Sequence, residues 1–261
     1  MKKINKSLPP NPLTNFAATH PLVSWDPDFR DHNGSQDYKA VRGLMLNEQG
    51  GLCGYCENKV TDQPEYKHRV EHFHDKSDQA NVAAHNWGLD WHNVFAVCIG
   101  GNDADKLIHP LPDNLSCDSH KGYLKNQLNV APEGYLLNPL NIPASPCLFQ
   151  FDKSTGELKP DAAACAQVHI ADNNFGTVQE LVENTIRMLN LNCSRLTAQR
   201  LEVLKAYNQA VKRVREKNDR QGLSKLAAYW FSSKWPSFFT TRRLLLGSHA
   251  EYYLTTINYN G

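Results

Sequence analysis

The sequence predicts an α+β fold: a small cysteine-stapled core of two strands and a helix, broken by an inserted loop, then a mainly α-helical C-terminal domain. Three observations carry this expectation. "GLCGYC" and "NVFAVC" set Cys53, Cys56 and Cys98 beside short apolar runs, and Cys117 follows at the head of "CDSHKGYLKNQ". "RVEHF" and "NVFAVC" are themselves compact and bounded by polar residues, as strands are. Beyond about residue 165 the apolar positions change to helical spacing: Val178, Leu181, Val182, Thr185, Ile186 and Leu189 form one stripe, and Leu201, Leu204, Tyr207, Val211 and Val214 repeat it.

Composition narrows the function classes. The 261 residues carry a formal net charge of +1, so no overall field draws the chain to nucleic acid, although opposed local patches would average out. The N-terminal lysines are not followed by an apolar segment, so no secretory signal is expected, and no run approaches membrane-spanning length. The expected compartment is a reducing cytoplasm, where seven cysteines act as metal ligands and buried thiols rather than as disulfides.

Taken in order, residues 1–35 are rich in Pro, Asn and His and read as an N-terminal extended arm. Residues 36–130 form the predicted core. It opens with a helix whose Tyr38, Val41, Leu44 and Met45 share a face, and Gly50-Gly51 ends that helix. A strand follows near Arg69 to Phe73, then a loop over 78–90, a second strand in "NVFAVC", and an aperiodic loop over 99–116. Asp118 suits the N-terminal end of the next helix. Residues 131–164 read as a bridge containing a β-hairpin closed by "STGE", and residues 165–261 as a helical domain with a further helix near Leu223 to Phe231.

The knuckle formed by Cys53 and Cys56 calls for a second pair, yet the position three after Cys98 holds Gly101. Excising 99–116 as a loop puts Cys117 close behind Cys98, so the predicted tetrad is Cys53, Cys56, Cys98 and Cys117. Four sulfurs suit a structural, tetrahedral Zn²⁺ with no open position for chemistry. Cys147, Cys165 and Cys193 read as small buried hydrophobes.

"GLCGYCE", "VEHF", "WHNVFAVC" and "CDSHKG" resemble the motifs of HNH (ββα-metal) nucleases, most closely the PtuB-like HNH subunits of Septu and retron-associated anti-phage systems. The motifs span roughly residues 45 to 125, with a looser likeness through "LLNPL" and "TIRMLNLN". The resemblance implies a zinc-stapled ββα-metal (HNH) core and a metal-dependent endonuclease. It implies His72 as general base, Asn93 as the residue orienting the His72 loop, and Glu71 and Asp118 as oxygen ligands of a catalytic Mg²⁺ or Mn²⁺. Lys121 is a candidate to steady a phosphate. Further implied are a DNA or RNA substrate with DNA favoured, an ABC/SMC-like ATPase subunit as partner, and in retron versions a reverse transcriptase with its RNA–DNA product. A ribonuclease acting on structured RNA such as tRNA, and a non-catalytic zinc-stapled adaptor, are the rival readings.

His68 and His74 compete with His72 as base, and His92 and His120 are further candidates near the metal. Three departures from the family pattern stand out. Asp75 occupies a position where proline is common, which would loosen the turn after His72. Asn102 lies nine residues after Asn93, the interval at which shorter HNH sequences carry a metal ligand, and is the alternative to Asp118. Glu71 alternates away from His72 in a regular strand, so it joins the site only if the strand ends or twists there. In the C-terminal half, Arg195, Arg200, Arg213 and Arg215 read either as part of a phosphate-tracking surface or as the solvated face of a helix. Trp230, Trp235, Phe238 and Phe239 read as core packing or as a docking patch.

Overall fold

A computed structural model describes residues 1–78, 80, 82–128, 131–232 and 235–261. Residues 1–11 hold no regular element, but the rest of the first 35 is not an extended arm: helix α1 (Pro12–Thr19) and two short turns at Trp25–Phe29 and His32–Ser35 lie there. The Asn and Pro that suggest irregular chain are the helix start itself. Asn11 Oδ1 accepts from Thr14 N, Thr14 Oγ1 accepts from Asn11 N, and Pro12 fills the first helical position. Leu13 and Phe16 are buried.

Helix α2 (Gln36–Glu48) buries Val41, Met45 and Leu46 and packs against the second strand. It stops where Gly50 (φ 64°) and Gly51 (φ 78°) enter the left-handed region. Strands β1 (Arg69–His72) and β2 (Val94–Val97) pair antiparallel, with Arg69 opposite Val97 and His72 opposite Val94. The outer edge of β2 is covered by the buried side chain of Gln49. Its Nε2 donates to Ala96 O (2.7 Å) and its Oε1 accepts from Ala96 N (2.7 Å), as a neighbouring strand would.

The 99–116 segment leaves and rejoins the core at a pinched neck, where Ser116 N donates to Gly100 O (2.9 Å). A Cβ at Gly100 would lie 2.2 Å from Ser116 O, so only glycine lets the neck close. Helix α3 (Cys117–Leu128) starts there and rests on helix α5 (Val178–Met188). Between them run β3 (Phe149–Phe151), β4 (Leu158–Pro160) and α4 (Ala162–Cys165), the two strands forming the expected hairpin. Helices α6 (Ser194–Glu216), α7 (Gly222–Phe231), α8 (Phe239–Leu246) and α9 (Ser248–Thr256) complete the chain.

Two sequence expectations are resolved by burial. Arg200 is no surface cation: it is 1% exposed and donates to Leu191 O (2.7 Å) and Gly156 O (3.3 Å). Phe238 and Phe239 lie in the core. The start of α8 is held from the knuckle, because Thr240 N and Oγ1 donate to the buried Glu57 carboxylate (2.8 and 2.6 Å).

Replacing Gln49 with Leu keeps the volume but strands the buried N–H of Ala96. Gln49→Leu is expected to cost about 2–4 kcal/mol, read as a lower urea midpoint with unchanged slope. A loss below about 0.5 kcal/mol would show that the strand edge needs no such partner.

Candidate active site

The four predicted thiols converge. Cys53 and Cys56 come from the knuckle after α2, Cys98 from the end of β2, and Cys117 from the first residue of α3. Sulfur separations are 3.8 Å for Cys53–Cys117, 3.7 Å for Cys56–Cys98 and 3.8 Å for Cys98–Cys117. All four ligand atoms lie within 4.8 Å of one another. A tetrahedral ion about 2.3 Å from each sulfur would space the sulfurs roughly 3.8 Å apart, so the cluster can hold a metal such as zinc. The electrostatics agree. Against the cost of burial, neighbouring thiols donating to Cys53 hold its pKa well below the ordinary thiol range. Contacts with those same thiols, led by Cys53, drive Cys117 well above it. Only a cation lets all four charge together. Cys117 sits at φ 55°, where glycine would be at ease, so its thiol is kept at a backbone cost.

Beside the cluster lies a cleft of about 260 Å³, lined among others by Glu71, His72, Lys76, Asp118, Lys121 and Met188. β1 ends at His72, so the alternation that would separate Glu71 from His72 stops there and both residues reach the cleft. Glu71 is buried, its Oε1 accepting from Tyr55 OH (3.0 Å) and paired with Lys121 Nζ. Burial pushes its carboxyl up to about 8; Lys121 opposes this and the nearby Asp118 carboxylate adds to it. Asp118, in the first turn of α3, has Arg69 Nη1 3.9 Å from its Oδ2. Two carboxylates facing one cleft fit a hard divalent ion, which takes one or two carboxylates and fills its shell with water and phosphate oxygens.

His72 is buried edge-on against the Trp25 ring (centroids 4.6 Å apart). Its Nε2–H donates to Gly88 O (3.1 Å), which leaves Nδ1 with the lone pair. Burial, with Lys76 and Lys121 nearby, lowers its pKa to about 4, so the ring is neutral at pH 7. Asn93 ties together the two segments flanking this ring. Its Oδ1 accepts from His74 N (2.7 Å), and its Nδ2 donates to His74 O (3.0 Å) and Trp87 O (2.8 Å), beside the Gly88 acceptor. Asp75 does not loosen the turn: its Oδ1 accepts from Ser77 N (3.0 Å) and Ser77 Oγ (2.7 Å).

The other candidates separate. His74 is held between Glu133 Oε1 (2.6 Å) and Asp78 Oδ2 (2.8 Å) and stacks on Trp87. His68 bonds to Gln63 O, and His120 bonds Met188 O to join α3 to α5. Asn102 donates to Ser119 Oγ (2.8 Å) and does not line the cleft, whereas Asp118 does. Arg213 and Arg215 are exposed on α6 and line no part of it. Tyr55, Trp25 and the Gly88 carbonyl escaped sequence reasoning. Tyr55 lay in plain view inside the knuckle, but nothing local ties it to Glu71.

A neutral buried imidazole, paired carboxylates and a lysine around one cleft can perform metal-assisted hydrolysis. No family model matches the chain. A curated Escherichia coli protein described as "Retron Ec83 putative HNH endonuclease" is 38% identical over 247 residues, covering 93% of this chain and 92% of that protein. The chain belongs to the HNH endonuclease family that this relative represents.

The two perturbed groups make opposite pH predictions. Between pH 4.5 and about 8 folded Glu71 keeps a proton that the unfolded chain releases, so its contribution, full below 4.5, is lost as pH rises through 8. His72 contributes fully above 6.5 and loses this as pH falls through about 4. Without added Mg²⁺ or Mn²⁺, urea stability should therefore decline from pH 7 to 8.5, by at most about 1.4 kcal/mol per pH unit, and Glu71→Gln should abolish that decline. An unchanged decline in the variant would refute the Glu71 assignment.

Proposed function

We propose that this chain is a metal-dependent HNH endonuclease that hydrolyses phosphodiester bonds in nucleic acid, DNA in preference to RNA, as the effector of a cytoplasmic anti-phage complex. The observation that carries the reading is the meeting of Glu71, His72 and Asp118 in one cleft beside the four-thiol cluster. Residues 36–130 are the catalytic unit, a ββα-metal core made of β1, β2 and α3 and stapled by Zn²⁺ on Cys53, Cys56, Cys98 and Cys117.

His72 Nδ1 takes a proton from the attacking water, the Gly88 carbonyl holding the ring in the required tautomer. Asn93 fixes the two segments that carry this contact. Glu71 and Asp118 would hold a Mg²⁺ or Mn²⁺ ion, which when bound would supply charge stabilisation to the phosphate and leaving oxygen. Lys121 compensates Glu71 and presents a cation to the phosphate. An attack by water needs no 2′-hydroxyl, so the site's chemistry serves DNA. The relative's description as a retron protein supports a retron context; the partners proposed from the motif resemblance are an ATPase of the ABC/SMC-like type and a reverse transcriptase with its RNA–DNA product. Among the described residues no helix is long and apolar enough to cross a membrane.

His72→Ala should remain folded and zinc-loaded while cleavage falls about 10²–10⁴-fold. Duplex DNA, single strands and tRNA are to be compared side by side with Mn²⁺ present. Preferential tRNA cleavage would move the substrate to structured RNA. Unchanged cleavage by the variant would remove His72 as base, and no cleavage by the wild type in complex with its partners would leave an adaptor.

A further inference from the structure

A second cavity, of about 220 Å³, opens at the other end of β1 on the far side of Cys98. Its lining includes the cationic Lys67 and Arg195 and one carboxylate, Asp103, while Lys59, which also lines it, donates through Nζ to Gly50 O (2.6 Å) and Trp235 O (3.0 Å). Arg195 lies in the first turn of α6, where the helix dipole adds positive potential. Its guanidinium is fixed rather than free, Nη2 donating to Ser116 Oγ (2.8 Å). Nε is buried and has no hydrogen-bond partner among the described residues. That arrangement depends on Gly101, at φ 85°, because a Cβ there would lie 2.7 Å from Nε and 2.8 Å from Nη2. The fold thus uses a left-handed glycine to lay its backbone against the guanidinium, which fixes Arg195 at the cavity wall. Lys67 is paired with Asp103 at the same cavity, so the lining already engages one oxyanion.

From this geometry we infer that the cavity is a phosphate subsite for the backbone of the nucleic-acid substrate, bound by Arg195 and Lys67 away from the scissile bond; the inference rests on the nuclease reading above. A phosphodiester oxygen takes the place of the Asp103 carboxylate at Lys67, with the Arg195 guanidinium charge beside it. Arg69 stands on β1 between Lys67 and the cleft. Arg69 and Glu71 share a face of β1, and Arg69 reaches Ser119 Oγ (3.4 Å) on α3 beside Asp118. At a strand rise of about 3.3 Å per residue, Lys67 lies up to roughly 16 Å from His72. Backbone contacts at this range set register without reading sequence.

The test uses the full-length chain. A labelled oligonucleotide of the cleaved type is titrated in a His72→Ala background across a salt series, with Lys67→Gln and Arg195→Gln added singly. Each addition should weaken binding about threefold to tenfold and reduce the salt slope by about one. In the active enzyme each should raise KM with kcat held within about twofold. Lys67→Gln removes a part-exposed side chain and guards against misfolding; zinc content and far-UV spectra are to match the parent. Unaltered affinity and slope in both variants, with wild-type cleavage intact and His72→Ala inactive, would overturn the subsite and leave the nuclease reading standing. Loss of a protein partner instead of nucleic acid would overturn it equally. A wild type that neither binds nor cuts any nucleic acid would bring down the nuclease reading itself.

Discussion

Four thiols meeting at one point are the constraint on which the remaining geometry depends. They come from the knuckle after α2, the end of β2 and the start of α3, segments that the Gly54 N–Ala96 O (3.0 Å) and Ser116 N–Gly100 O (2.9 Å) hydrogen bonds also hold together. Three separations of 3.7–3.8 Å, with all four ligand atoms within 4.8 Å, give a cluster that could hold one tetrahedral ion. Through Cys98 and Cys117 the cluster sets the β1–β2 hairpin against α3. That contact brings Asp118 and Lys121 to Glu71. The Lys121–Glu71 pair and the Arg69–Ser119 contact then hold the first turns of α3 against β1.

The cleft that results is polarised in a way that suits acid–base work. One environment pushes a carboxyl up to about 8 and a neighbouring imidazole down to about 4. Both shifts come first from burial, which disfavours whichever form is charged. At pH 7 the two groups are therefore largely neutral until a cation arrives, and a divalent ion would draw the proton from Glu71. His72 needs no such help, since it already stands unprotonated and is oriented by Gly88. The shelter comes from Trp25 in the N-terminal segment, more than forty residues away in sequence. A residue outside the motif thereby sets the protonation state of one inside it.

Much of this could be read from the sequence because ligand chemistry is local and stereotyped. Cysteine spacing, once the 99–116 segment was treated as an excursion, named all four thiols, and the Gly100–Ser116 neck is the physical form of that excursion. The strands, α2, α5, α6 and α7 followed from period and from stops such as Gly50-Gly51. The N-terminal segment was misread because Asn11 and Pro12 look like chain breakers when they are a helix cap. Helices α8 and α9 are short, and α8 is secured by Glu57 from far along the chain, so no window of sequence announces them. Tyr55, Trp25 and Gly88 enter the site through contacts that only the tertiary fold creates. Lys121 stood out only as a candidate phosphate contact, and its burial against Glu71 follows from α3 docking, not from its neighbours in the chain.

The central claim, that a single sulfur-bound ion organises the site, is tested most directly by zinc-edge X-ray absorption on the purified protein. The account predicts one zinc per chain with four sulfur neighbours at about 2.3 Å and no light-atom ligand. A protein free of zinc, or one whose zinc is bound by nitrogen and oxygen, would contradict it.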